Sequence, residues 1–157
     1  KGACSTRDPR RRNGMIKTVL CAVDTNRPNE DAIVVKTAKK LADIEGAQLD
    51  VITVVPDFGA SVVGAYFQDH HVKSAHDGAA AALNDMTEQA IGKDANQAVR
   101  HIVSIGTVYE EVLKAAKLST ADLIVIGAHK PDFKDYLLGP NAARVVRHSD
   151  CSVYVVR

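Results

Sequence analysis

Five short apolar runs, at residues 18–24 (TVLCAVD), 49–55 (LDVITVV), 98–105 (AVRHIVSI), 121–127 (ADLIVIG) and 152–156 (SVYVV), alternate with segments whose apolar residues recur at helical spacing. The first run is continuous rather than alternating, which predicts a strand covered on both faces, as in a parallel sheet. A β-α-β-α-β-α-β-α-β order argues for an α/β fold with one doubly wound five-stranded parallel sheet. Crossovers in such sheets are right-handed, so helices cover both faces. With 157 residues, the chain has room for one such core and no second domain.

The helical segments are predicted as follows. Residues 30–45 carry Ala32, Val35, Ala38, Leu41 and Ala42 on one face, with Ile44 at the edge of the pattern and Gly46 as the stop. Residues 57–73 read as irregular and hold the pair His70-His71. A helix over 74–91 puts Ala79, Ala82, Leu83, Met86 and Ala90 inward. Thr107 with Glu110 has the form of a capping box, opening a helix through residue 118 with Val112, Leu113 and Ala116 inward. The last helix covers 141–148.

Composition narrows the function class. A formal charge of +1 gives no reason to expect a nucleic-acid partner. The apolar runs are strand-length, far below the roughly 20 residues of a membrane span. Cys4, Cys21 and Cys151 are odd in number and lack CxxC spacing, which fits free thiols in a reducing compartment, hence the cytoplasm. Cys21 and Cys151 sit in apolar strand patterns and read as small core residues. Residues 1–14 have a basic run at Arg10, Arg11 and Arg12 but no apolar stretch after it, so they do not form a signal peptide. They read as a leftover of expression or a disordered arm ahead of a domain at 15–157.

Motifs of several enzyme classes are missing. There is no G-x-S-x-G elbow, no G-x-x-x-x-G-K-[ST] phosphate loop and no H-E-x-x-H zinc pair. His70, His71 and His76 read as solvated residues, and His148 as a helix-terminal residue suited to the dipole. No catalytic residue and no metal ligand is assigned.

In an open α/β sheet, ligands bind beyond the carboxyl ends of the strands, where strand order reverses. The two informative ends are Asp24, closing the first strand, and Gly127, closing the fourth. If those strands are neighbours, the helix start at Gly139-Pro140-Asn141 lies in the floor of their crevice. Free N–H groups and the dipole at a helix N-terminus favour an anion there. His129, in the loop after Gly127, is the histidine best placed to donate to a phosphate or form a polar wall.

These residues resemble a known family. The order of elements, the aspartate ending strand one and the terminal run GAHKPDFKDYLLGPNAARVVRHSDCSVYVVR are similar to universal stress proteins. The LLG-x-NAA-x-VVRH stretch is nearest to the bacterial F/G-type subgroup. The resemblance covers residues 15–157. It implies an adenine nucleotide alpha hydrolase-like sheet of order 3-2-1-4-5, a homodimer through the last strand and, in many members, an ATP site. The exposed apolar edge of that strand, at Val153 and Val155, also favours pairing.

In nucleotide-binding members the motif is G-x-x-G, nine residues, then G followed by Ser or Thr. Gly127 and Gly139 match the outer glycines, while Lys130 takes the second position, with eight residues before Gly139, and Pro140 takes the hydroxyl position. By the resemblance, Asp24 meets the ribose or adenine side. Ala22, Val23, Val54 and Ile126 line the base pocket, and Asn141 and Ala142 follow the glycine at the phosphates. Pro140 has no hydroxyl and no backbone N–H, removing up to two donors worth about 1.5–3 kcal/mol each toward an anion. Lys130 supplies a full positive charge instead.

The expectation is a dimeric stress-response protein that binds ATP or AMP, with or without Mg, and changes unknown protein partners rather than turning over substrate. Two alternatives stay open. One is a protein-interaction module whose nucleotide site has decayed; the other is a slow ATPase in which Asp24 or His129 assists water.

Overall fold

The computed structural model describes residues 15–57, 65–129 and 138–157, with side chains from residue 72 onward in the helix that begins at Ala65. The first expectation is met. Five parallel strands, β1 (Thr18–Val23), β2 (Gln48–Val55), β3 (Arg100–Ile105), β4 (Leu123–Gly127) and β5 (Ser152–Val156), form one sheet in the order β3-β2-β1-β4-β5. Among the described residues five helices connect them: α1 (Pro28–Glu45), α2 (Ala65–Ile91), α3 (Lys93–Gln97), α4 (Val108–Leu118) and α5 (Pro140–His148).

The central strand shows why its sequence is apolar without a break. Val19, Cys21 and Val23 point to one face and pack with Val34, Val35 and Ala38 of α1 and Leu83 and Met86 of α2. Leu20 and Ala22 point to the other, against Val112, Ala115 and Ala116 of α4 and Ala142 and Val145 of α5. A strand with helices on both sides has no polar face to alternate with. Cys21 is fully buried, and that burial pushes its thiol well above the ordinary range, so it is a core residue. Cys151 is only half-buried and lies 3.4 Å from the Ser149 hydroxyl.

Several boundaries differ from the sequence reading. Helix α2 begins at Ala65, not at residue 74, so part of the supposed irregular stretch is helical. Between Ala65 and Asp77 there is neither Gly nor Pro to stop a helix, which explains the extension. His70 and His71 therefore lie on α2, although their side chains fall outside the described residues. The one-turn helix α3 was not anticipated.

Thr107 is the N-cap of α4, but its side chain makes no capping bond; Glu110 instead accepts from the Tyr109 hydroxyl at 2.9 Å. On α1 the buried positions are Asp31, Val34, Val35, Ala38 and Ala42, while Ile44 is 77% exposed. The stripe runs through a carboxylate that the apolar pattern had passed over.

For the site, the important result is the reversal of order at β1. Chain connection runs outward from β1 to β2 and β3 on one side, then returns to β4 and β5 on the other. Ala22 pairs with Ile126, so β1 and β4 end at the same level. Their following loops diverge over opposite faces, and a crevice opens between them.

Candidate nucleotide site

That crevice is a cavity of about 340 Å³, within the usual size of small-molecule sites. Its apolar part is made by Ala22 of β1, Ile52 and Val54 of β2, Val108 and Val112 of α4, Ile126 of β4 and Ala142 of α5. Its polar rim comes from Asp24, Asn26 and Arg27 after β1 and His129 after β4. Val23, Pro56, Gly127, Gly139, Pro140 and Asn141 complete the wall. Of the residues singled out in the sequence, Ala22, Val23, Asp24, Val54, Ile126, Gly127, His129, Gly139, Pro140, Asn141 and Ala142 all border this one space. Lys130 lies outside the described residues.

Each wall has a local cause. Asp24 starts a tight turn in which its Oδ1 accepts from the Asn26 backbone N–H at 2.9 Å and from Asn26 Nδ2 at 3.0 Å. This Asx-type turn fixes one carboxylate oxygen and the direction of the chain. The Arg27 N–H then bonds the Asp24 carbonyl at 3.0 Å, and Pro28 opens α1 with the φ that a first helical residue needs. Arg27 pairs with Glu30 at 3.3 Å across the first turn. Neither Asn26 nor Arg27 had been assigned to the site, because a turn sequence such as TNRPN announces its geometry but not what the turn faces.

Across the cavity, Gly139 is dictated by backbone packing. A Cβ at that position would lie 2.2 Å from the His129 carbonyl oxygen and 3.0 Å from that of Ala128. The Gly139 N–H bonds the Ala128 carbonyl at 2.8 Å, clamping the start of α5 against the end of β4. The N-cap of α5 is Gly139, which has no side chain to cap it. Gly139 spends its N–H on Ala128 and Pro140 has none, so Asn141 and Ala142 supply the donors of the first turn. The apolar base pocket and the helix start thus suit a ligand with a flat apolar portion and an anionic portion.

Between these walls lies a contact with no antecedent in the sequence reading. Asp31, only 1% exposed, receives the backbone N–H of Asp24 on Oδ2 at 2.6 Å and meets His129 Nε2 on Oδ1 at 3.0 Å. The hydrogen bond to Asp31 holds the His129 pKa above its ordinary value of 6.5, against partial desolvation and the Arg27 charge, with Asp31 and Asp24 adding to the rise. His129 also adopts φ +30°, rare for a residue with a side chain. Gly127 makes room for its ring: a Cβ there would stand 3.0 Å from Nε2. The available signal was phase, because Asp31 precedes Val34 and Val35 by three and four residues on the buried stripe of α1.

Among the described residues, no group of three His, Cys, Asp or Glu side chains is arranged to hold a metal ion. His76 contacts Asp77 at 3.6 Å, both of them exposed. No helix of the described residues is long and apolar enough to cross a membrane.

An open sheet with a cavity at its switch point, bordered by a carboxylate and a helix start, defines a doubly wound α/β protein. Comparison with known sequences makes the assignment specific: the model of the universal stress protein family matches residues 15–157, and the chain belongs to that family. Universal stress protein G of Escherichia coli O157:H7 is 28% identical over 149 residues, covering 91% of this chain and all of that protein. Among solved structures, the universal stress protein UspA from Lactobacillus plantarum superposes with a TM-score of 0.70 at 25% identity, covering 92% of this chain and 100% of that one. A universal stress protein in complex with cAMP superposes with a TM-score of 0.65 at 20% identity, over 92% of this chain and 99% of that one.

Proposed function

We propose that this protein binds an adenine nucleotide, ATP or AMP, in the switch-point cavity and acts in the stress response by changing its protein partners according to the nucleotide held. The observation that carries the reading is the convergence of an apolar pocket, the Asp24 rim and the Gly139-Pro140 start of α5 on one cavity. The base would lie against Ala22, Val54 and Ile126, with Asp24 toward the ribose and the phosphates at Asn141, Ala142 and His129. A family relative that binds cAMP lends the same ligand chemistry. Mg²⁺, where present, would arrive with the ATP phosphates.

The module works as a cytoplasmic homodimer joined through β5. Among the described residues Cys21 and Cys151 are free thiols, in agreement with a reducing compartment, and β5 is an edge of the sheet. Val153 and Val155 are half-buried against their own core, so pairing there would extend the sheet rather than create a new apolar face. Sedimentation at twice the chain mass, falling to the chain mass in a folded Val155→Glu variant, is the expected result; an unchanged mass would remove the interface.

Pro140 favours a second reading, in which the site has lost its nucleotide and the protein works only through partners. Denaturing the purified protein and analysing the supernatant separates the two. Released adenine nucleotide, or a thermal shift in millimolar ATP-Mg, supports binding. The absence of both release and shift would sink it.

A further inference from the structure

The buried Asp31–His129 pair sits where the two loops of the cavity touch, and nothing in the apolar packing requires a carboxylate there. Asp31 comes from α1, yet its two oxygens reach the end of β1 and the loop after β4. It therefore links both lips of the cavity to each other.

We propose that Asp31 is a positioning residue for phosphate binding: it orients the His129 ring by taking Nε2, and thereby aims Nδ1 as a donor toward the anionic part of the ligand. This rests on the reading that the cavity takes an adenine nucleotide. The chemistry is that of a second carboxylate behind a working imidazole, where the bond at one nitrogen sets the tautomer and role of the other. With Nε2–H donated to Asp31, a proton on Nδ1 makes the ring an imidazolium, both a hydrogen-bond donor and a unit of positive charge.

The location gives this a purpose. Pro140 takes one N–H from the first turn of α5, and Gly139 spends its own on Ala128. A charged donor from His129, in the same cavity wall, offsets that deficit. Among the described residues, the groups facing His129 are Asp31 from α1 and Asp24 and Arg27 from the loop after β1. The carboxylates favour the imidazolium and the guanidinium opposes it, with the Asp31 hydrogen bond the largest influence. Asp31→Asn would keep an acceptor for the Asp24 N–H while removing the charge that sustains the imidazolium.

The test compares wild type and Asp31→Asn, by calorimetry with AMP and with adenosine from pH 5.5 to 8.5. The phosphate of AMP itself titrates near pH 6, but that is common to both proteins and cancels in their ratio. The expected result is AMP affinity several-fold weaker in Asp31→Asn near pH 7, with adenosine affinity unchanged and the AMP difference shrinking as pH rises. The His129 ring, followed by NMR in the absence of ligand, should titrate above pH 6.5 in wild type and lower in the variant. If both proteins bind AMP and adenosine with the same ratio at every pH, the positioning role is wrong while nucleotide binding stands. If neither ligand binds wild type, the nucleotide reading itself has failed. Should Asp31→Asn not fold, His129→Gln takes its place: equal loss of AMP and adenosine binding would overturn the proposal, and selective loss of AMP would support it.

Discussion

Two buried carboxylates in this protein have opposite assignments. Asp50, in the middle of β2, is 0% exposed and is gripped by Arg100 of β3, with Nε on Oδ1 and an Nη on Oδ2, each at 2.9 Å. The two residues are register partners in the sheet. Asp31 is equally buried but faces a backbone N–H and an imidazole. A guanidinium is charged at every accessible pH, whereas an imidazole is charged only part of the time. Asp50 is therefore neutralised permanently and serves register. Asp31 has a partner whose charge varies, at the edge of a cavity, which is what a site needs and a clamp does not.

The comparison can be broken most forcefully at the clamp. Arg100→Ala leaves the buried Asp50 carboxylate without its partner and is expected to cost about 3 kcal/mol in urea denaturation, the low end for a buried pair because the Arg100 side chain is itself 57% exposed. A double variant, Asp50→Val with Arg100→Val, should recover most of that loss, because an apolar pair removes the stranded charge as well as the bond. A double variant no more stable than Arg100→Ala would mean the fork itself, not the stranded charge, accounts for the cost. Asp31→Asn should be milder, since the amide oxygen still accepts the Asp24 N–H.

At the cavity the sharpening experiment is Pro140→Ser. The serine restores a backbone N–H and a hydroxyl at the first turn of α5 without disturbing a helix that already starts there. Each new bond to a phosphate is worth about 1.5–3 kcal/mol, so ATP should bind roughly tenfold more tightly or better. Calorimetry showing the same affinity in both proteins would mean the phosphates do not sit at α5.

How far the sequence foretold these two sites follows from what each depends on. The alternation of strands and helices and the two helical layers were legible because unbroken apolar runs and helical periodicity report burial directly, whereas the strand order was implied by the family resemblance alone. Asp24, Gly127 and the helix start at Gly139 were legible because ligands bind beyond strand ends, while the apolar wall at Ala22, Val54 and Ile126 was implied by the family resemblance. What escaped was the polar contact between segments. Asp31 was hidden because a carboxylate in an amphipathic helix ordinarily marks the solvent face, and only its phase with Val34, Val35 and Ala38 said otherwise. Asp50 was absorbed into the apolar run LDVITVV, since its partner is fifty residues away and only the strand register brings them together. Thr107 with Glu110 erred the other way: the spacing of a capping box was present, but the Tyr109 hydroxyl took the glutamate.

The smallest expected effect tests the variable charge without any ligand. His129 has a folded-state pKa raised above 6.5, its value when unfolded. The folded state therefore holds its proton more tightly, and the pair's stabilisation is fully present below pH 6.5 and lost as pH rises through the folded value. Wild type should exceed His129→Gln in stability by a margin that is largest near pH 6 and smaller at pH 9, measured by urea denaturation at fixed ionic strength. The Asp50–Arg100 clamp, compared through Arg100→Ala over the same range, should show no such decline, because a guanidinium keeps its charge throughout. A margin for His129 that stays flat with pH would make it a second fixed clamp, and the distinction between the two carboxylates would reduce to their neighbours' shapes.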